Sequence, residues 1–163
     1  MAELVYRAEE TAVSFSDSGS GDVAITLNNL AAGAGRVSAQ RDRGAGSKPL
    51  RHRFFGSFQF DTAPVVGEQI EIYLFESDGT VVDGAVGTTD AALTTEKRRN
   101  GKLIGCVIVD QTSANVGTNA SFPFNIYSRY YSIGVWNGTA DNLDNANGNS
   151  YIKVAPMPDE IQS

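Results

Sequence analysis

Residues 51–79, RHRFFGSFQFDTAPVVGEQIEIYLFESDG, hold the densest apolar signal in the chain and read as two strands joined by a turn. In the first strand Phe54, Gly56, Phe58 and Phe60 fall on one face while Phe55, Ser57 and Gln59 fall on the other, the two-residue period of a pleated strand. In the second, residues 69–76, Ile70, Ile72 and Leu74 alternate with Glu71, Tyr73 and Phe75. Tyr73 and Phe75 are large for a fully solvated face. Both faces are therefore expected to be at least partly covered, by a second sheet or a neighbouring subunit. Between the strands, Pro64 cannot donate a ladder bond and Gly67 tolerates positive φ, which makes residues 62–67 a connection.

The flanking segments carry the same period in shorter pieces. Residues 12–15 form a short strand and 16–22 a serine- and glycine-rich loop; Val23, Ile25 and Leu27 then alternate with Ala24, Thr26 and Asn28 in a half-buried strand. After a turn at 31–35, residues 36–42 alternate with small side chains inward and arginines outward, as suits an edge strand blunted by charge. Residues 43–48 make a flexible connection. Beyond residue 76, Ser77-Asp78-Gly79-Thr80 is a turn, and Asp83-Gly84 ends a short stretch with a second one. Residues 88–99 could hold one helical turn, but their threonines read as a long loop with a basic end. Residues 103–110 read as a continuous apolar strand buried on both faces. A polar loop at 111–121 precedes strands at 122–127 and 130–137, the latter with Tyr131, Ile133 and Val135 on one face. A loop at 138–149 leads to the last strand, 150–154. Pro156 and Pro158 keep the tail out of a sheet interior, so it lies along its own domain or on a neighbour. About eight strands at this spacing predict an all-β fold, a two-sheet antiparallel β-sandwich of jelly-roll-like form. It occupies residues 1–154 as a single domain, with a C-terminal tail at 155–163.

Composition narrows the classes of function. The 163 residues fit one domain, and no apolar run approaches the roughly 20 residues of a membrane helix. The first six residues lack the basic start and apolar body of a secretory signal, so a soluble protein made in a cytoplasm is expected. Cys106 is the single cysteine, which excludes an intrachain disulfide and a cysteine metal cluster. It is expected in the core, and the single histidine, His52, is expected to face solvent between Arg51 and Arg53. Net charge is −6 but uneven: Arg36, Arg41, Arg43, Lys48, Arg51 and Arg53 stand against Asp42 alone, leaving −11 on the remainder. A cationic segment on an acidic body suits an acidic partner, or the acidic side of a second copy. Nucleic acid is the weaker reading, because the whole chain is acidic and the nearby aromatics alternate as core.

The motifs that resemble chemistry fail on spacing. Gly44-Ala45-Gly46-Ser47-Lys48 lacks the glycine-to-lysine spacing of a phosphate loop, and no helix follows it. In residues 141–149 the calcium-loop pattern would put its first ligand on Leu143 and its bidentate acid on Val154. Asp78 and Asp83 each precede glycine and read as turn residues rather than paired catalytic carboxylates. Tyr127, Tyr130, Tyr131 and Trp136 could form a carbohydrate platform, but at alternate strand positions they read as core and interface. A single histidine removes most acid–base schemes, so a non-enzyme without cofactor, metal or catalytic residue is expected.

Several stretches together resemble small virion structural proteins of tailed bacteriophages, of the head-decoration or cement type. They are Ala34-Gly35-Arg36-Val37-Ser38-Ala39-Gln40, Glu71-Ile72-Tyr73-Leu74 running into Asp78-Gly79-Thr80 and Asp83-Gly84, then Tyr131 to Thr139, the strand at 149–154, and Pro158-Asp159-Glu160. The resemblance implies a β-sandwich on the outer surface of a virion capsid, often a trimer, clamping neighbouring copies of the major capsid protein after synthesis in the host cytoplasm. It implies neither nucleic-acid nor membrane binding. The long loops after Asp83 and Gln111 depart from the pattern. Candidate partner contacts are Arg36, Arg41, Arg43, Lys48, Arg51 and Arg53 with Pro156 and Pro158. The alternatives are a carbohydrate- or receptor-binding module of a tail or fibre, and a tail or connector subunit.

Overall fold

Every second residue from His52 to Phe58 turns inward in the computed structural model, which describes residues 4–7, 10–17, 21–80 and 89–162. In chain order the strands are β1 (Leu4–Arg7), β2 (Val13–Ser16), β3 (Val23–Ala24), β4 (Gly35–Val37), β5 (Arg41–Asp42), β6 (Arg51–Phe58), β7 (Gln69–Ser77) and β8 (Ala91–Ala92). A one-turn helix α1 (Thr95–Arg98) precedes β9 (Lys102–Ile108), β10 (Thr118–Asn125), β11 (Tyr130–Asn137), β12 (Tyr151–Pro156) and β13 (Asp159–Gln162). One sheet runs β10-β6-β12-β2-β3. The other runs β8-β4-β11-β7-β9, with β5 also on β11, and β1 pairs with β13 apart from both. The pairings are antiparallel except β2 with β3. The expected two-sheet β-sandwich is the observed architecture.

The faces follow the alternation. Phe54 and Phe58 from one sheet, with Phe60 just beyond β6, meet Ile70, Ile72 and Ile133 from the other, all fully buried. The reverse face of β7 is covered too, as the size of Tyr73 and Phe75 demands, and the cover comes from the chain itself: Val37, Tyr73, Phe75 and Leu93 form a second buried cluster edged by Ala91 and Trp136. Glu71 and Trp136 are cross-strand partners on this face. Glu71 accepts from the Tyr73 hydroxyl at 2.6 Å and from Arg98 at 3.1 Å, while the Arg98 guanidinium lies 4.2 Å from the Trp136 ring centre. The segment carrying β8 and α1 is therefore clamped over the outer sheet. Opposite it, Phe122 closes the side of the sandwich by stacking on Phe54 at 4.6 Å.

Several expectations need correction. The segment 36–42 is not one edge strand: β4 lies between β8 and β11, and the chain leaves the sheet after Val37 as Ala39 donates to the Ala24 carbonyl. The segment expected as a loop at 88–99 holds a helical turn at Thr95–Arg98, which Thr94 caps by accepting from the Lys97 amide. β9 is an edge strand, with Leu103 and Ile108 each 52% exposed, and Cys106 is only half-buried. His52 is 3% exposed, since it shares the inward phase of Phe54 and Phe58. The last strand also runs past Val154. Pro156 sits opposite His52 and the pairing continues around it: its carbonyl accepts from the Glu10 amide, and the next amide, on Met157, donates to the Arg51 carbonyl. Beyond it, Asp159–Gln162 continues as β13. Asp83 and its turn lie outside the described residues.

Candidate functional site: a cationic pocket at one end of the sandwich

The register brings one set of strand ends together. Val154 pairs with Val13, Pro156 with His52 and Tyr131 with Arg41, so β2, β5, β6, β11 and β12 all expose the same end. There a cavity of about 150 Å3 gathers Arg41, Arg43 and Lys48 over an inner wall that includes Val13, Tyr131 and Val154. Pro49, His52, Pro156 and Glu10 complete it. Four of the eight expected contact residues, Arg41, Arg43, Lys48 and Pro156, thus share one site.

Each cation is held differently. Arg43 donates to the Ile126 carbonyl at 3.1 Å, to the Ser128 carbonyl at 3.0 Å and to the Pro49 carbonyl. These are neutral acceptors, and burial lowers the pKa of its guanidinium from the usual value. Arg41 is half-buried on β5 and Lys48 is exposed on the glycine-rich loop; neither has an ion-pair partner among the described residues.

The acids nearby are committed elsewhere. Asp42 accepts two 2.7 Å bonds from Arg129 and a third, also 2.7 Å, from the Gly44 amide, and these hold the carboxyl down at about 2. Glu76 accepts from the amides of Tyr127 at 2.6 Å and Ser128 at 2.8 Å. Glu10 is exposed, and its backbone amide donates to Pro156.

His52 forms part of the wall rather than a general base. Its Nδ1 lies 3.0 Å from the Leu50 carbonyl and its ring 5.9 Å from that of Phe124. Burial pushes its pKa down to about 4, so the imidazole is neutral at physiological pH.

The remaining candidates lie outside this cavity. Arg36 pairs with Asp90 at 2.8 Å on the outer sheet. Arg51 borders a wider groove of about 420 Å3 with Lys102 and Pro123, between the edges formed by β9 and β10. Arg53, half-buried, sits opposite Pro123 and Ala155, and Pro158 is half-buried beyond β12. His52, Tyr131 and Glu10 were missed as site residues. For His52 a signal existed, since it keeps the two-residue phase of Phe54; nothing local in the sequence links Glu10 to residues 31 or more positions away.

The other motifs act in backbone turns. The Thr80 amide donates to Asp78 at 2.7 Å. Asp144 accepts from the Ala146 amide at 2.7 Å and from Asn149 at 3.0 Å. Among the described residues no group of three or more His, Cys, Asp or Glu could hold a metal ion. Of the four aromatics that could form a sugar platform, Tyr127 is 61% exposed, Tyr131 is buried, and Tyr130 and Trp136 are half-buried beneath Arg129 and Arg98. The chain matches no protein-family model and no curated protein.

Proposed function

We propose that this sandwich, of jelly-roll type, is a non-enzymatic virion structural protein. It decorates the outer surface of a major capsid lattice as a homo-oligomer, a trimer, and stabilises the shell by bridging coat subunits. The observation that carries the reading is the cationic end: Arg41, Arg43 and Lys48 are collected at one pole of a chain with net charge −6, with no carboxylate among the described residues in an ion pair with them. Such a pole suits adhesion to an acidic surface, because opposite potentials speed encounter and fix orientation. A stiff two-layer body suits it as well, and repeated weak contacts across a lattice add up to tight holding. The glycan-binding alternative draws less support, because Arg98 covers Trp136 and Tyr131 faces inward.

Cosedimentation with expanded empty shells of the virus that encodes the chain tests the proposal. Saturable binding near lattice stoichiometry is expected, weakening as salt rises and weakening further for Arg41→Glu with Lys48→Glu. Absence of binding at low salt would remove the reading. Arg43 is left intact in this test because its bonds to the Ile126 and Ser128 carbonyls tie the loop at 43–49 to the end of β10, and its bond to the Pro49 carbonyl closes that loop.

A further inference from the structure

The cationic pocket has a second property beyond its charge. Its mouth is basic, yet the wall behind is apolar, built from Val13, Val154, Pro156 and the ring of Tyr131. Tyr131 is 2% exposed, and its phenol lies close enough to Arg41 and Arg43 to feel both charges. Arg43 is a partly desolvated cation hydrogen-bonded to neutral carbonyls; Glu76 lies near enough to act on it by charge but is itself bonded to the Tyr127 and Ser128 amides, so an arriving anion would add a direct counter-charge. The cavity, at about 150 Å3, holds several times the roughly 30 Å3 that one water occupies in the liquid, so a bare ion would underfill it.

We propose that this pocket receives one carboxylate carried on a short aliphatic stem: the stem lies against Val13, Val154 and Pro156, and the carboxylate meets Arg41, Arg43, Lys48 and the Tyr131 hydroxyl. A glutamate side chain and the last residue of an aliphatic chain end both present that chemistry. Only the identity of the partner, a coat subunit, rests on the capsid reading; the ligand class rests on the pocket. Glu10 at the rim is the chain's own like charge, and it disfavours an arriving carboxylate.

The test is an NMR titration of the full chain with N-acetylglutamate amide and with N-acetylleucine, each against its neutral counterpart, N-acetylglutamine amide and N-acetylleucine amide. Saturable shifts of the Arg43 Nε–H and of Tyr131 are expected with the acids, at least tenfold tighter than with the neutral compounds. The tighter acid identifies a side chain or a chain end as the natural source. Arg41→Ala with Lys48→Ala should weaken binding at least tenfold while leaving the unfolding midpoint in place, and Glu10→Gln should tighten it. Equal response to acids and amides, unchanged affinity in the double variant, or sulfate binding as tightly as either acid would overturn the inference, the last as an adventitious ion only. Because the titration uses the isolated protein, shell binding without acid binding refutes the pocket alone, and acid binding without shell binding refutes the capsid reading alone.

Discussion

Leu93→Ala tests whether the outer sheet is covered by its own chain. Leu93 is 2% exposed and closes the cluster formed with Val37, Tyr73 and Phe75. Truncation to alanine removes three carbon atoms, a transfer loss of about 2.4 kcal/mol at roughly 0.8 kcal/mol per methylene. The cavity left behind adds to this, although a small cluster near the surface can partly collapse, so a total of about 3 kcal/mol is expected, within the roughly 2–5 kcal/mol range of such changes. For a chain of this size that lowers the melting temperature by about 6–12 °C. Urea unfolding followed by the emission of Trp136, the single tryptophan and a neighbour of the same cluster, gives the direct readout. Leu103→Ala is the control: the side chain is 52% exposed on the edge strand, and its loss should change stability by no more than about 0.5 kcal/mol. A loss below about 1 kcal/mol for Leu93→Ala would refute the packing, because a buried leucine cannot be truncated so cheaply.

Other consequences follow from burial and close approach. His52 should titrate near pH 4 rather than 6.5 when followed by its ring proton resonances. Its depressed pKa means that its contribution to stability is complete above about 6.5 and is lost as pH falls through about 4, since the unfolded chain takes up that proton first. His52→Gln should flatten that part of the pH–stability curve, and a midpoint at or above 6 would contradict the burial. The Tyr73 phenol, raised to about 12 by burial and by its hydrogen bond to Glu71, should ionise at a lower pH in Glu71→Gln, though still above 10; an unchanged ultraviolet titration would refute the contact. Gly105→Ala would place a Cβ 2.5 Å from the Phe122 ring, which is already stacked on Phe54, and should cost about 1–3 kcal/mol in urea unfolding.

Strands β6, β7 and β11 were legible because their two faces differ in chemistry at a period of two, and the pattern is long enough to be unambiguous. The same period could have placed His52 inward; the flanking arginines, which belong to the other face, obscured it. β9 was misjudged for a physical reason: Leu103, Ile104, Val107 and Ile108 form a nearly continuous apolar run, and composition does not distinguish a strand with two neighbours from one at an edge. A proline signals the end of a strand, yet β12 runs through Pro156, with bonds made by its carbonyl and by the Met157 amide. The cationic stretch was visible as charge, but not the pocket. Its wall comes from Val13, Tyr131 and Val154, and only the sheet register brings these to Arg41 and Lys48.

A cryo-electron microscopy reconstruction of shells incubated with the protein tests the central claim most directly. Added density is predicted on the outer surface at lattice-related positions, with the end bearing Arg41 and Lys48 turned toward the coat. Density confined to the tail or its attachment vertex, or a cationic end turned outward to solvent, would contradict it.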